Sequence, residues 1–537
     1  MPPLSIFSRR TFIIIFLLIA TFYFYGLGRM PLVGPDEPRY AEVAREMLVR
    51  NDFVTPMLGH HTWFEKPALL YWMMIASFRV FGVTEYASRL ASAICGLLTV
   101  LAVWFTCSRI EVNDREVKDR LGFFSCLVLA TSMGLIVFSR AASFDIVITM
   151  TTAWALALFL NWELSERKGK LSLAGFYALM GLSLIAKGLV GVVIPLGVVF
   201  VYFVLRRSWP KRSFLFSFLW GIPLTGIVSS IWYGPVIARN GRRFVDEFFI
   251  QHHFARYISN KYHHPQPFYF YIFILVLLTL PWTPFLIDSL INARHWGWRK
   301  NDPADKARVF ALAWLVMPVV FFSFSGSKLP AYILPALPGA ALLMGERMSI
   351  MVSSWSRRGT SLICLLIALA FIGFAFRSAE VSVLCTLVVA LPFFIAGAFG
   401  LLPRESDQAS VLSFGGCVIV SLVVALNCAA PDLARRESVK DLLIRAQQRG
   451  YGSTPVFIGE GSVRTAEFYA ADRVVYGSAG EPVLLDDVSD MLAEAQRRHS
   501  QILVFVPMDQ IQVVARQTGV ELIGDNGNVA LFRIAPD

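Results

Sequence analysis

Thirteen stretches of this 537-residue chain are apolar over the length of a bilayer crossing, and a chain built this way can bury them only against one another and in lipid. A crossing needs about 20 such residues. The runs fall at roughly 11–28, 88–107, 121–139, 146–162, 171–186, 188–205, 214–233, 268–292, 307–325, 331–346, 360–376, 381–401 and 410–429. Composition agrees: 56% of residues are hydrophobic and 16% charged, more apolar surface than a water-soluble domain could cover. The expected fold class is mainly α, a polytopic membrane helical bundle of about 13 spans.

The net charge of +11 sits in short clusters between apolar runs, so it speaks of topology and excludes a nucleic-acid-binding face. Arg109, Arg115, Lys118 and Arg120 share one side with Arg167, Lys168 and Lys170, with Arg206, Arg207, Lys211 and Arg212, and with Arg9 and Arg10. By the positive-inside rule that side is the cytoplasm. Arg9 and Arg10 precede an apolar stretch with no convincing small-residue cleavage site, which reads as a retained anchor. The N-terminus is then cytoplasmic. Loops at about 29–87 and 234–267, and everything beyond about 430, face outward. We divide the chain into a transmembrane catalytic part, 1–430, and a soluble part, 431–537. In the latter, strand-like runs (Pro455 to Ile458, Arg473 to Tyr476, Ile502 to Pro507, Val529 to Ile534) alternate with helix-like ones, as in a small α/β domain. The seven Cys lie in or beside apolar runs, and their spacing suggests neither a disulfide framework nor a thiolate metal site.

Chemistry gathers in the outward loops. The first opens with Gly34-Pro-Asp-Glu-Pro-Arg-Tyr-Ala41 and an amphipathic helix on the membrane surface. Asp36 at its start is either an N-cap or, with Glu37, a carboxylate pair that meets a reacting centre at the interface. The same loop ends in Trp63-Phe-Glu-Lys-Pro67, an adjacent acid and base. His263 and His264 stand where the second loop re-enters the membrane. One of the two is a candidate metal ligand, with a distant carboxylate such as Glu65. Arg89, Arg140, Lys187 and Lys328 are isolated cations in short outward turns, where few are expected, and they suggest anionic ligands at headgroup depth. Phosphate is the natural one. Asp145, five residues after Arg140, is a further acid at that depth and a candidate ion-pair partner for it.

The segments Asp36 to Ala41, Phe64 to Pro67, Arg140 to Asp145, Ala186-Lys-Gly-Leu-Val190, His263 to Phe268 and Ser327-Lys-Leu-Pro-Ala-Tyr-Ile-Leu-Pro335, in this order, resemble the aminoarabinose transferase family that modifies lipid A. That family lies within the superfamily of membrane-embedded glycosyltransferases that includes the protein O-mannosyltransferases. The resemblance implies a bacterial inner-membrane enzyme with its site on the periplasmic face. The donor would be undecaprenyl-phosphate-linked 4-amino-4-deoxy-L-arabinose, the acceptor a lipid A phosphate, with inversion at the anomeric carbon. By position it makes Asp36 the principal catalytic carboxylate, with Asp145 a second acid. Lys66, Arg140, Lys187 and Tyr332 would contact lipid phosphate, and Glu65 with His264 would hold a structural zinc, with no organic cofactor. Two departures, Pro38 for a small polar residue and Ala331 for Thr, leave the exact sugar open. Two other functions remain at this point, a protein O-glycosyltransferase and a lipid or solute transporter. The latter generally places its site at the bilayer midplane between repeats, and no repeat is visible here.

Overall fold

The computed structural model describes residues 9–112, 114–165, 169–255, 266–377, 381–402, 407–459, 464–478, 480–485 and 487–536. Each of the thirteen apolar runs lies on a helix or a bent helix pair. Among the described residues, eight single helices are long and apolar enough to cross a membrane, and two bent pairs raise the number to ten. The other three expected spans are shorter helices: α1 (Arg9–Phe24), α9 (Val190–Arg206) and Leu337–Ile350. The last begins late because Pro330 and Pro335 hold its first seven residues, Pro330–Ala336, as 3-10 turns. The chain is thus a multi-pass membrane protein.

The two bent pairs meet at their breaks. Helices α5 (Arg115–Thr131) and α6 (Met133–Ser139) bend by 59°, and Phe270–Leu278 and Thr283–His295 by 115°. A break within lipid frees backbone groups that need partners. Met133 N–H donates to the Leu280 carbonyl (3.1 Å), and the Trp282 indole N–H donates to the Thr131 hydroxyl (3.0 Å), so the two breaks are bonded to each other.

In the first outward loop, α2 (Glu37–Val49) buries Tyr40, Ala41, Val43, Ala44 and Met47. It packs against α3 (Leu69–Phe81) on one side and the C-terminal helix Arg464–Tyr469 on the other, so it is enclosed by protein and does not lie open on the surface. A two-residue hairpin, β1 (Met57–Leu58) with β2 (His61–Thr62), sits beyond it. After α4 (Glu85–Arg109), α7 (Phe144–Leu164) and α8 (Lys170–Lys187) bring outward ends to the same region, with Gly188 at φ +76° turning the chain directly after Lys187.

The C-terminal part carries a four-stranded sheet in the order β3-β4-β6-β5: β3 (Val456–Ile458), β4 (Ile502–Pro507), β6 (Val529–Ile534) and β5 (Val520–Asp525). The first pair is parallel and the others antiparallel. Arg473 to Tyr476 contributes only isolated bridges, and β5 was not anticipated.

One expectation is corrected. Cys385 and Cys428 form a disulfide. They lie 43 residues apart, yet stand at adjoining ends of the neighbouring helices Val383–Leu401 and Gln408–Cys428, with Cα atoms 5.8 Å apart.

Candidate active site

Asp36 occupies the N-cap position of α2, but its side chain makes no capping hydrogen bond. The carboxylate is instead held by Arg39, one turn on, at 2.6 Å, and remains 53% exposed. The sequence alternative of a purely structural cap therefore does not describe it. Arg39 reaches Glu65 at 3.8 Å, while Lys66 donates to Glu65 at 2.9 Å. The guanidinium lies over the Trp63 ring, 5.1 Å from its centroid. Burial works against the Arg39 charge, but the nearby carboxylates of Glu65 and Asp36 outweigh it and raise its pKa above the ordinary guanidinium value. Beneath this group, Tyr40 and Tyr71 are buried against the Phe144 ring, at 4.9 and 5.2 Å between centroids. Burial, followed by the charges of Asp36 and Glu65, pushes both phenols well above their usual pKa, so both stay protonated.

Glu37 points elsewhere. Both its oxygens accept from Arg89, at 2.9 and 2.7 Å, and Oε1 also accepts the Ala142 N–H at 2.7 Å. Arg89 donates further to the carbonyls of Leu27, Met30 and Pro31, each at 2.8 Å. This buried pair ties the loop after α1 to the starts of α2, α4 and α7, and it leaves Glu37 no free oxygen to offer a substrate.

Phe144 also joins the first cluster to a second. Asp145 follows it, with its N–H on the capping Ser143 (3.1 Å), and its carboxylate is paired with Lys187. The Lys187 ammonium sits 4.7 Å from the centre of the Tyr332 ring, and Tyr271 donates to the Leu329 carbonyl at 3.1 Å beside it. Phe144 thus links two groups: its ring packs on Tyr40 and Tyr71 below Asp36, Glu65 and Lys66, and its chain neighbour Asp145 pairs with Lys187, which lies over Tyr332.

Two of the expected phosphate ligands are engaged elsewhere. Arg140 is not the partner of Asp145; its guanidinium donates to the carbonyls of Phe22 (2.9 Å), Tyr23 (3.3 Å) and Tyr25 (2.5 Å), closing the outward end of α1. Lys328 is buried and donates to the Ser325 carbonyl at 2.7 Å. His263 and His264 lie outside the described residues. Among the described residues no three His, Cys, Asp or Glu are placed to hold a metal. Arg39 was not singled out in the sequence, although its spacing of three from Asp36 on a helix was a usable signal. Tyr71, inside an apolar run, gave none.

Residues 8–233 match the sequence model of the dolichyl-phosphate-mannose-protein mannosyltransferase family. Among characterised sequences, the undecaprenyl phosphate-alpha-4-amino-4-deoxy-L-arabinose arabinosyl transferase of Serratia proteamaculans is 31% identical over 343 residues, 62% of this chain and 58% of its own length. The Aeromonas salmonicida protein of the same name is 31% identical over 369 residues, 65% of this chain and 64% of its own. The chain thus spans about three-fifths of the length of the curated relatives it matches. In fold the match is complete: the crystal structure of ArnT from Cupriavidus metallidurans bound to undecaprenyl phosphate superimposes with a TM-score of 0.79 at 23% identity, over 99% of this chain and 100% of that one. Its apo state gives 0.78 at 22% identity, with the same coverage. In sequence the chain is thus similar to the undecaprenyl phosphate-aminoarabinose arabinosyl transferases over about three-fifths of their length, and over its whole length it has the fold of ArnT.

Proposed function

We propose that the protein transfers a sugar, 4-amino-4-deoxy-L-arabinose, from undecaprenyl phosphate to a phosphate of lipid A at the periplasmic face of the bacterial inner membrane. The observation that carries this reading is the half-exposed Asp36 carboxylate, free of any capping bond and held by Arg39 beside Lys66, in a group that Phe144 links to Asp145 and Lys187. The names of the relatives supply the sugar and its carrier. The disulfide supports the orientation. It stands beside Asn427, which bonds Tyr25 at the same outward end of α1 that Arg140 closes, and disulfides persist in oxidising compartments such as the periplasm.

In this reaction an acceptor phosphate oxygen attacks the anomeric carbon from the face opposite the carrier. The new C–O bond forms as the bond to undecaprenyl phosphate breaks, and the electron pair leaves on the carrier phosphate. The acceptor is already anionic, so no strong base is needed. Asp36 stabilises the positive charge that develops on the sugar ring or orients its amino group. Lys66, Lys187 and Tyr332 hold the departing phosphate, and Asp145 sets the position of Lys187. We assign Arg140, Lys328 and Glu37 to holding the frame. Asp36→Asn in purified protein is expected to lower turnover on the order of 100-fold or more without changing thermal stability, and near-normal transfer sinks the assignment.

A structural zinc at Glu65 and His264 belongs to the same reading, but no step depends on it. Lys66 and Arg39 already bring positive charge to Glu65, which sets them against a cation there. Elemental analysis decides: zinc bound by the purified protein and lost in Glu65→Ala supports the site against those opposing charges, and a metal-free, fully active preparation removes the claim.

A further inference from the structure

Helix α7 carries Asp145 at one end and Glu163 at the other, about 27 Å away by the rise of an α-helix. The far end holds more positive charge than the protein offsets. Glu163 is buried, and its carboxylate lies 3.4 Å from the Lys211 ammonium and 3.9 Å from that of Lys306, on the helix Pro303–Ser323. Lys211 also donates to the Glu163 carbonyl at 3.1 Å. Arg206, the last residue of α9, is 5% exposed and stands over the Tyr202 ring at 5.7 Å. Its Nη2 donates to the Asn301 side-chain oxygen at 3.0 Å, and its Nη1 has no partner. Lys306 feels the charges of both Lys211 and Arg206. Among the described residues, one carboxylate thus serves three cations from three elements, and the buried guanidinium is met only by a neutral amide.

Topology alone explains cations that water and headgroups solvate, and so accounts for the exposed Arg207 and Arg212. It does not account for Arg206 and Lys306, because a cation held inside a helical bundle is costly without a counter-charge. The surface in front of them has the parts of a lipid site. Between α9 and α10 (Arg212–Phe244) the chain turns through Arg207, Ser208, Trp209, Pro210 and Lys211. Lys211 is exposed there beside Arg207 and Arg212, and Trp209 is 92% exposed, as suits an indole in a headgroup layer. Within about two turns of this loop, α9 exposes Phe200 and Val204, and α10 exposes Leu215, Phe216 and Leu219. Cations, an interfacial indole and apolar side chains follow one another as phosphate, interface and hydrocarbon do in an anionic phospholipid.

We propose that an anionic phospholipid binds at the turn between α9 and α10, its phosphate held by the exposed Arg207, Lys211 and Arg212 and its chains lying on the exposed side chains of the two helices. The headgroup charge offsets the excess from Arg206 and Lys306 behind the loop, so the lipid stabilises the end of the bundle remote from Asp36. A soluble anion would match the cations but not the indole and the apolar side chains beside them. The site does not depend on which sugar or acceptor the protein uses.

Full-length protein in nanodiscs of phosphatidylcholine, with and without phosphatidylglycerol, tests this by thermal unfolding and by native mass spectrometry of the lipid retained. Wild-type protein is expected to retain phosphatidylglycerol and to unfold at a higher temperature when that lipid is present. Arg207→Gln combined with Arg212→Gln removes two exposed cations and leaves both lysine partners of Glu163 in place. It is expected to weaken binding of phosphatidylglycerol by about 30-fold and to abolish the rise in midpoint, with the midpoint in phosphatidylcholine alone unchanged. A phosphatidylglycerol effect that persists in the double variant, or that is absent from wild type, overturns the site. Inorganic phosphate that raises the midpoint in phosphatidylcholine as far as phosphatidylglycerol does overturns the lipid as occupant. Should the double variant fail to fold, Arg212→Gln alone is judged by the same criterion.

Discussion

Asp36 and Glu37 are adjacent in sequence and opposite in environment. Because α2 begins between them, one carboxylate faces the outward rim and the other turns into protein, where Arg89 takes both its oxygens. Removing one partner of a buried ion pair leaves the other charge uncompensated, at a cost of about 3–5 kcal/mol. Arg89→Ala is thus expected to lower the thermal unfolding midpoint sharply, whereas Asp36→Asn leaves it in place; equal midpoints for both variants contradict the division of roles. At this scale the sequence marked the right charged residues but could not pair them. It offered Arg140 as the partner of Asp145, whereas the structure supplies Lys187 from 42 positions away, because α7 and α8 bring their outward ends together. Spacing along the chain carries no record of which helix ends converge.

At the scale of elements, α2 is clamped by the C-terminal part. The Tyr469 hydroxyl accepts the Leu32 N–H at 2.7 Å and donates to Glu85 at 3.0 Å, so one phenol joins the segment leading to Asp36 with the start of α4. Arg45 donates to the Phe468 carbonyl at 3.0 Å and pairs with Glu42. Tyr469→Phe is expected to lower turnover several-fold with little loss of stability, seen as a fall in kcat at unchanged midpoint; unchanged kcat contradicts a positioning role. Glu42 gives this contact a pH dependence. Burial pushes its carboxyl up to about 8, against the opposing Arg45 and with help from Glu46 and Glu467. The folded protein therefore keeps the proton over a range in which the unfolded chain, at about 4.5, has released it. Stability from this group is complete below the unfolded value and is lost as pH rises through the folded one. The unfolding midpoint should fall as pH rises from about 4.5 to about 8, and Glu42→Gln should reduce that fall; an unaltered profile contradicts the assignment. The elements themselves were readable where apolar periodicity was strong. Strand β5 was missed because Glu521 and Asp525 interrupt its apolar run, and the disulfide because it depends on two helix ends meeting.

For the whole molecule, the number and length of the apolar runs carried most of the helical architecture, since a bilayer leaves a chain few alternatives. The bends were not legible. Two expected spans are helices broken by 59° and 115°, and the breaks are joined by the bonds from Met133 to Leu280 and from Trp282 to Thr131. The helices α2, α3, α7 and α8 converge beside the C-terminal part, and in the proposed reaction this is where the lipid-borne sugar and the lipid-borne phosphate meet. The most direct test of that account is mass spectrometry of lipid A from host cells carrying the intact gene, a deletion, or Asp36→Asn, grown under conditions that induce envelope modification. The account predicts a 4-amino-4-deoxy-L-arabinose increment on lipid A with the intact gene alone; identical lipid A spectra from all three strains would contradict it and turn the search to a protein or another glycan as acceptor.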